Sequence, residues 1–483
     1  MSTDQPSTAG EQFPRLRIAI AGGGICGGLL ATQLRRSNLF DVCCFEKTPH
    51  TGGPPGVNLL LNHNGIAAIK DHDKDLYERL AAVGFEMKTW AALTMTGNCL
   101  FSEEVVESGL ADSAGLRARW DHFVAAIRAA SEDGEDGIIY DATVESFRYL
   151  ESGSVAVTIL KEGGEQPEER EVDLLIACDG RFSKIRAQVE GGKLPEPDVM
   201  DVANFKFLIP DTTNGLIDDY VRVYNIPDTA ALAEKFPALA ADAAFADECM
   251  LGLARIGIMR MRDPDGDKIG IYGNVRISKG GKLPELARTA DAMRALFTPK
   301  EGVDAMDPLG KFVLDALVAK ADAGDFHWER FQEAPAKMRD ENGKVLIIGD
   351  AAHAFCPSLG QGASVAIEDA CAAGAILREG AEAGMAVADM VALVEKVRLD
   401  RVREFARLSR HHAVHLAAHA GQQSALDAEV ADWTAGASGG TMEGDGWRKA
   451  LAMLWKGWPR AAEVAAAVRA AAAAGGAGGG IAM

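Results

Sequence analysis

The sequence predicts an α/β protein in which a parallel nucleotide-type sheet is interrupted by an inserted antiparallel sheet and followed by a helical tail. Three features predict it: a strand–glycine turn–helix–strand unit near residue 20, apolar strands near residues 175 and 345 that end in Asp-Gly or Gly-Asp, and a β-rich stretch between them.

Leu16 to Ala21 is a short apolar run ending in glycines, Ile25 to Arg35 reads as a helix, and Phe40 to Phe45 is a second strand. This opening switches period from 2 to 3.6 and back, as a Rossmann-type half requires. Asp121 to Ala130 and Leu174 to Ala177 are a further helix and strand. Lys344 to Ile348 is another short strand, followed by a turn and a small-residue helix, Ala363 to Leu377. In the middle, Asn204 to Ile209, Met250 to Arg262 and Lys268 to Ile277 alternate or are rich in β-formers, joined by turns such as Asp263-Pro264-Asp265-Gly266. Beyond Gly421 the composition shifts. Asp432 to Gly446 has linker character, and Trp447 to Ala474 is Ala-rich and expected to be helical. The expected organisation is a nucleotide domain in two parts, 15–190 and 301–420, a substrate-binding sheet over 191–300, and a linker with a packing or oligomerisation tail, suited to a homodimer, over 421–483.

The 483 residues suffice for a large core. A net charge of −20, from 70 acids and 50 bases, repels nucleic acid and anionic membrane. An anionic substrate would therefore need a local arginine. Met1 to Pro14 lacks the apolar core of a secretion signal, and no apolar run is long enough to span a bilayer. The eight cysteines show no zinc or C-x-x-C spacing and are expected as buried free thiols in a reducing cytoplasm.

The first chemical motif is Gly22-Gly23-Gly24-Ile25-Cys26-Gly27. Gly22 permits the turn, Gly24 lets the backbone approach a pyrophosphate, and Gly27 allows close helix–strand packing, while the helix N-terminus offers N–H groups to the phosphates. Glu46, followed by Lys47, ends the second strand, where an acid holds a ribose. The second motif is Asp179-Gly180-Arg181-Phe182-Ser183-Lys184-Ile185-Arg186. The third is Gly349-Asp350-Ala351-Ala352-His353, then Pro357 and Gly360-Gln361-Gly362, then Glu368-Asp369. Asp350 is placed to hydrogen-bond a polyol chain. Backbone N–H groups at Gly362 and Ala363, on a helix N-terminus, can stabilise negative charge on a bound ring.

Together and in this order, the three segments resemble the p-hydroxybenzoate hydroxylase-like flavoprotein monooxygenases, over roughly Leu16 to Ala420. The resemblance implies non-covalent FAD, with Gly22, Gly24, Ile25, Cys26 and Gly27 in the glycine turn that binds it, Glu46 at the adenosine ribose and Lys47 among the cofactor-binding residues. It also implies Asp179 in a segment serving FAD and NAD(P)H, Asp350 at the ribityl chain, Gly362 and Ala363 at the flavin ring, and Gly360 among the cofactor-binding residues. For the family's arginine before the third helix, Arg117 and Arg119 compete, and Arg119 is preferred. One departure is Asn58 in Gly56-Val57-Asn58-Leu59, where a second glycine is usual. Asn62-His63-Asn64-Gly65 and Cys356-Pro357 resemble the members that oxidise hydroxypyridine carboxylates.

Other residues carry two readings. Arg255, among Leu253, Gly257 and Met259, is either a substrate anchor or a snorkelling edge residue. Tyr272 shares a face with Asn274 and Arg276, read as solvated or, alternatively, as a hydrogen-bonding partner for a phenolic substrate. His353 is a candidate base near the flavin, though packing and hydrogen bonding there is the favoured role, and Pro357 lies beside it. His411, His415 and His419 have helical spacing, but no metal is expected. The expected activity is hydroxylation of a small aromatic substrate with NAD(P)H and O2 through a C4a-hydroperoxyflavin. Epoxidation, ring opening and a flavin-binding redox sensor are the alternatives. Halogenation is disfavoured, since Trp455-Lys456-Gly457-Trp458-Pro459 does not match the halogenase Trp-x-Trp-x-Ile-Pro signature.

Overall fold

The computed structural model describes residues 15–50, 57–131, 137–164, 166–225, 254–276, 288–325, 329–418 and 454–476. Four parallel strands form the nucleotide sheet, in the order Val345–Ile347, Leu174–Ala177, Leu16–Ala21, Phe40–Phe45. Their side chains are mostly buried on both faces, as expected of a parallel sheet covered by helices. Helix Ile25–Arg35 leaves only Gln33 and Arg35 partly exposed, and it packs against helices Trp120–Ser131 and Gly362–Glu382. Strands and helices expected here from sequence all form. The small-residue helix runs five residues further than expected, because Arg378, Glu379, Ala381 and Glu382 are good helix formers.

Two small sheets escaped the sequence reading. Ala142–Tyr149, Val155–Lys161 and Glu168–Val172 form one antiparallel sheet, and Asn58–Leu61, Gly115–Arg119 and Gly84–Met87 form another. The inserted sheet has seven strands among the described residues. Those at Asp198–Pro210, Tyr220–Asn225, Ala254–Met261 and Lys268–Arg276 fall within 191–300, whereas Thr89–Thr94, Cys99–Glu104 and Glu329–Glu333 come from either side of that range. Its pairs are antiparallel except Tyr220–Asn225 against Thr89–Thr94, which run parallel.

Alternation along these strands gives the sheet two apolar faces. Ile256, Ile258, Ile269 and Ile271 pack outward, with Phe205 and Phe207, on helices Ala290–Phe297 and Pro308–Asp322. Met259, Met261 and Tyr272 face inward, clustered with Tyr220, Trp90, Leu60, Leu359 and Val365. The nucleotide domain and the sheet therefore meet across a largely apolar seam.

The tail departs from the continuous helix expected over Trp447 to Ala474. Residues 447–453 and the expected linker lie outside the described residues. A short helical turn at 454–456 stops before Pro459, and the terminal helix begins at Ala461. Val464 and Val468 bury against the nucleotide-domain core, and Trp455 is fully buried in the seam. Of the thiols, Cys99 is exposed, contrary to expectation, and Cys249 lies outside the described residues; the other six are free and buried or partly buried. No helix among the described residues is long and apolar enough to cross a membrane.

Candidate flavin-binding site

The glycine turn does what its spacing suggested. Gly22 has φ +99, and a Cβ there would lie 2.4 Å from the Cys178 carbonyl oxygen. At Gly27 a Cβ would lie 1.9 Å from the Gly22 carbonyl oxygen, so helix and strand touch through backbone. Gly24 is different: a Cβ there would meet nothing within 4 Å. Gly24 is also the N-cap of helix Ile25–Arg35 and has no side-chain cap, so the turn opens onto space with unsatisfied N–H groups. Ile25 and Cys26, the first helical residues, are buried behind it.

Glu46 is buried at the end of Phe40–Phe45. Its Oε2 accepts from Gly23 N at 2.8 Å, and Oε1 accepts from Thr48 N at 2.9 Å and Thr48 Oγ1 at 2.8 Å. The carboxylate thus ties the glycine turn to the second strand. Lys47 is exposed. The arginine that reaches this turn is Arg128, which sequence reading passed over inside a helix. Its Nε donates to the Gly23 carbonyl at 3.2 Å, and its Nη2 lies 3.4 Å from Glu46. Arg119, preferred from sequence, spends its guanidinium on Asp121 and on Asp263 in the facing sheet. Arg117 donates to the Glu86 carbonyl at 2.8 Å and lies 3.5 Å from Asp219. A side chain's reach across 100 residues leaves no local signal, which is why Arg128 was missed.

The second and third motifs join the first. Asp179 Oδ2 accepts from Lys184 N at 2.9 Å, its Oδ1 is buried without a partner, and burial pushes its carboxyl above the usual range. Arg186, the motif's last residue, is buried and donates to the carbonyls of Ala351 at 3.2 Å, Ala352 at 2.9 Å and Pro335 at 2.5 Å. It bolts the second motif to the turn of the third, a role the motif's spacing alone did not disclose. A Cβ on Gly349 would in turn lie 3.1 Å from Cys26 Cβ, so the third turn abuts the first helix.

Within the third motif, Asp350 is exposed, and its Oδ1 would lie 4.0 Å from a Cβ on Gly362. It therefore stands at the N-terminus of the 21-residue helix Gly362–Glu382, which also lacks a side-chain cap; Ala363 follows in the first turn. Gly360 has φ +65, and its carbonyl accepts from Asn62 Nδ2 at 2.8 Å, while Asn62 N donates to Ser364 Oγ at 2.8 Å. His353 is buried with Nε2 2.5 Å from Asp369 Oδ2. Pro357 is exposed at the start of the short turn Pro357–Leu359.

Across the seam, Gly270 approaches Asn58: a Cβ there would lie 2.6 Å from Asn58 Cβ. The expectation of a solvated face for Tyr272 is corrected. Its ring lies against Gly257, where a Cβ would come within 2.3 Å, and its hydroxyl is 2.5 Å from that of buried Tyr220. Lack of a side chain at Gly257 makes room for the ring. Arg255 lies on the same strand with its backbone between Tyr224 and Asn274, and its side chain is outside the described ones. So are those of His411 and His415, while His419 lies outside the described residues altogether.

These residues fit FAD. An open glycine turn and an uncapped helix suit the pyrophosphate, Asp350 suits a polyol, and a second uncapped helix suits the electron-rich edge of the ring.

The comparisons agree. Residues 321–409 match the family FAD binding domain, and residues 20–54 match the family NAD(P)-binding Rossmann-like domain. The chain is 25% identical to the chloroplastic zeaxanthin epoxidase of Prunus armeniaca over 392 residues, 76% of this chain and 49% of that protein. It thus spans about half the length of that relative. Klebsiella pneumoniae HpxO, solved with FAD and uric acid, is similar in fold, with a TM-score of 0.66 at 18% identity, covering 92% of this chain and 97% of that one. The tetrameric form of 2-methyl-3-hydroxypyridine-5-carboxylic acid oxygenase superposes with a TM-score of 0.61 at 18% identity, covering 83% and 92%.

Proposed function

We propose, from the premise that the chain belongs to the group A FAD-dependent aromatic monooxygenases, that it uses NAD(P)H and O2 to hydroxylate a small phenolic or hydroxypyridine-type ring. The observation that carries this reading is the seam itself: an apolar, aromatic sheet face packed against Leu359 and Val365, on either side of Gly362, with the hydroxyls of Tyr272 and Tyr220 paired inside it. FAD, when bound, supplies the oxygen-activating chemistry.

The chain's residues do the rest. The glycine turn binds the pyrophosphate through backbone N–H groups, with Arg128 adding positive charge behind it. Asp350 accepts hydrogen bonds from the ribityl hydroxyls. N–H groups at Gly362 and Ala363 stabilise negative charge at the ring's pyrimidine edge. Met259, Met261, Leu359 and Leu60 exclude water from the reaction space. Tyr272 hydrogen-bonds the substrate's ring hydroxyl, backed by Tyr220, and Arg255 grips an anionic substituent. His353 holds the third turn, Pro357 shapes its exit, and the Asp179 segment receives NAD(P)H.

Ring substrates are supported by uric acid in the HpxO structure and by the pyridine carboxylate in the other neighbour's name. Epoxidation is the second reading, favoured by the zeaxanthin epoxidase match. The test is substrate-stimulated NAD(P)H oxidation across phenols, hydroxypyridines and isolated alkenes, with product mass measured. The expected result is faster NAD(P)H consumption with an aromatic product heavier by one oxygen. Oxygenation of alkenes alone would favour epoxidation. NAD(P)H consumption unmoved by any substrate, with no product, would favour a redox sensor.

A further inference from the structure

The last two residues of the third motif and an arginine from the next helix form a set of charges that no step above uses. Glu368 and Asp369 are consecutive on helix Gly362–Glu382, Arg398 is on helix Val387–Ala418, and all three are fully buried. Arg398 Nε donates to Asp369 Oδ1 at 2.7 Å, and its Nη1 donates to Glu368 Oε2 at 2.7 Å. Asp369 Oδ2 accepts from Gly349 N at 3.0 Å and faces His353 Nε2, so it holds both ends of the turn that presents Asp350. Glu368 works elsewhere: it accepts from Asn64 Nδ2 at 2.7 Å and from Arg401 Nε and Nη2, each at 2.7 Å. Arg401 also donates to the Leu454 carbonyl at 2.6 Å.

We infer that Arg398, outside all three motifs, is a positioning residue for the flavin: its guanidinium spans Glu368 and Asp369, and through Asp369 it fixes the turn Gly349–His353. Two carboxylates on successive helical positions point about 100° apart around the axis. A planar fork bound to both sets the rotation of that helix as well as the turn. The same helix begins at Gly362, so one guanidinium aligns Asp350 and the helix N-terminus together. Stability alone does not explain burying two acids and an arginine, because an apolar cluster of the same volume is commonly as stable or more so. The neighbourhood also keeps Asp369 ionised: burial raises its carboxyl, but the facing Arg398 and His353 outweigh that and hold it at about 2.

The inference rests on assigning the third motif to FAD, and Asp350→Ala serves as the control for that assignment. Two charge-balanced double variants separate positioning from packing. Asp369→Asn with Arg398→Gln leaves the Glu368–Arg401 pair intact. Glu368→Gln with Arg401→Gln leaves the Asp369–Arg398 pair intact and keeps an amide oxygen at 368 to accept from Arg398 Nη1, so the span across both positions survives. FAD affinity is measured by titrating apoprotein, the setting of the bound ring by visible circular dichroism, and packing by thermal unfolding of the apoprotein. The first double variant is expected to bind FAD at least tenfold more weakly with an altered dichroism spectrum. The second is expected to unfold at lower temperature yet bind FAD within about twofold of wild type. Equal weakening by both, or unchanged affinity and spectrum in the first, overturns the inference. Should the first variant fail to fold, Arg398→Lys decides. Lysine keeps the charge but cannot span both acids, so affinity at least threefold weaker supports the positioning role and wild-type affinity and dichroism overturn it. Failure of the Asp350→Ala control to lose FAD would overturn the motif assignment and, with it, the inference that rests on it, whereas loss of FAD in the control with an unchanged first double variant would overturn the role of Arg398 alone.

Discussion

Adding one methyl group at Gly24 and at Gly27 should give opposite results, although the glycines lie three residues apart. At Gly24 the backbone has φ −77 and ψ −158, an extended conformation open to alanine, and the new Cβ meets nothing within 4 Å. Reduced unfolded-chain freedom favours Gly24→Ala by about 0.4–1 kcal/mol, which the poorer N-cap preference of alanine offsets. Apoprotein stability should therefore stay within about 1 kcal/mol of wild type. The methyl nevertheless fills the space that a pyrophosphate must enter. Loss of one charged hydrogen bond costs about 1.5–3 kcal/mol, roughly a ten- to hundredfold rise in the FAD Kd. At Gly27 the Cβ would lie 1.9 Å from the Gly22 carbonyl oxygen and 3.0 Å from Cys178 Cβ. The first of these neighbours is backbone, so Gly27→Ala must push the helix off its strand, at or above the roughly 1–3 kcal/mol usual for overpacking. Its apoprotein should unfold at clearly lower temperature. Thermal unfolding of deflavinated protein and fluorescence titration with FAD measure both quantities. Wild-type FAD affinity in Gly24→Ala, or an unperturbed Gly27→Ala apoprotein, would refute the steric reasoning.

Four other outcomes are expected. Asp350→Ala removes an exposed carboxylate at the mouth of the site, so FAD affinity should drop about tenfold or more with little change in apoprotein stability, checked by the same titration. Glu46→Gln cannot accept from Gly23 and Thr48 on both sides at once, so FAD binding should weaken by about 1.5–3 kcal/mol; calorimetry showing wild-type affinity would make Glu46 a structural residue only. His63 is buried with Nδ1 donating to the Ser113 carbonyl, and burial lowers it to about 4. Its neutral form stabilises the fold above the unfolded value near 6.5, and about 3 kcal/mol should be lost as pH falls from 6.5 to 4. Denaturant unfolding of His63→Gln across that range should show a shallower pH slope. Arg255→Met should raise the KM for an anionic aromatic substrate while FAD binding and background NAD(P)H oxidation persist; unchanged steady-state kinetics would leave the anchor elsewhere.

Much of the nucleotide half was legible because its signals are local. Leu16–Ala21, Ile25–Arg35 and Phe40–Phe45 form where period and glycine spacing put them, since a buried parallel strand and a packed helix each leave an unbroken apolar signature. Asp198–Pro210 extends beyond the expected Asn204 to Ile209 because it pairs on both sides, with Lys268–Arg276 and with Glu329–Glu333, and ladder bonds sustain a strand through polar residues. Strands at Thr89–Thr94 and Glu329–Glu333 could not be assigned to the inserted sheet, because pairing partners more than 100 residues away leave no mark on local periodicity. The same holds for Arg128, Arg186 and Arg398. Each sits on a helix and looks like a solvated cation until the fold shows which carbonyls and carboxylates it meets.

The strand order of the nucleotide sheet also sets a timetable for synthesis. Phe40–Phe45 and Leu16–Ala21 can pair early, yet Val345–Ile347, at the far edge, leaves the ribosome roughly 300 residues later. At bacterial-to-eukaryotic elongation rates of about 5–20 residues per second, that gap lasts on the order of 15–60 s. For about the last 170 residues of that interval, roughly 8–34 s at the same rates, Leu174–Ala177 has emerged with its far edge unpaired, and throughout it neither the Asp350 turn nor the second uncapped helix exists. Nascent chains halted before residue 345 should therefore be unable to capture flavin and should depend on chaperones to cover the open edge.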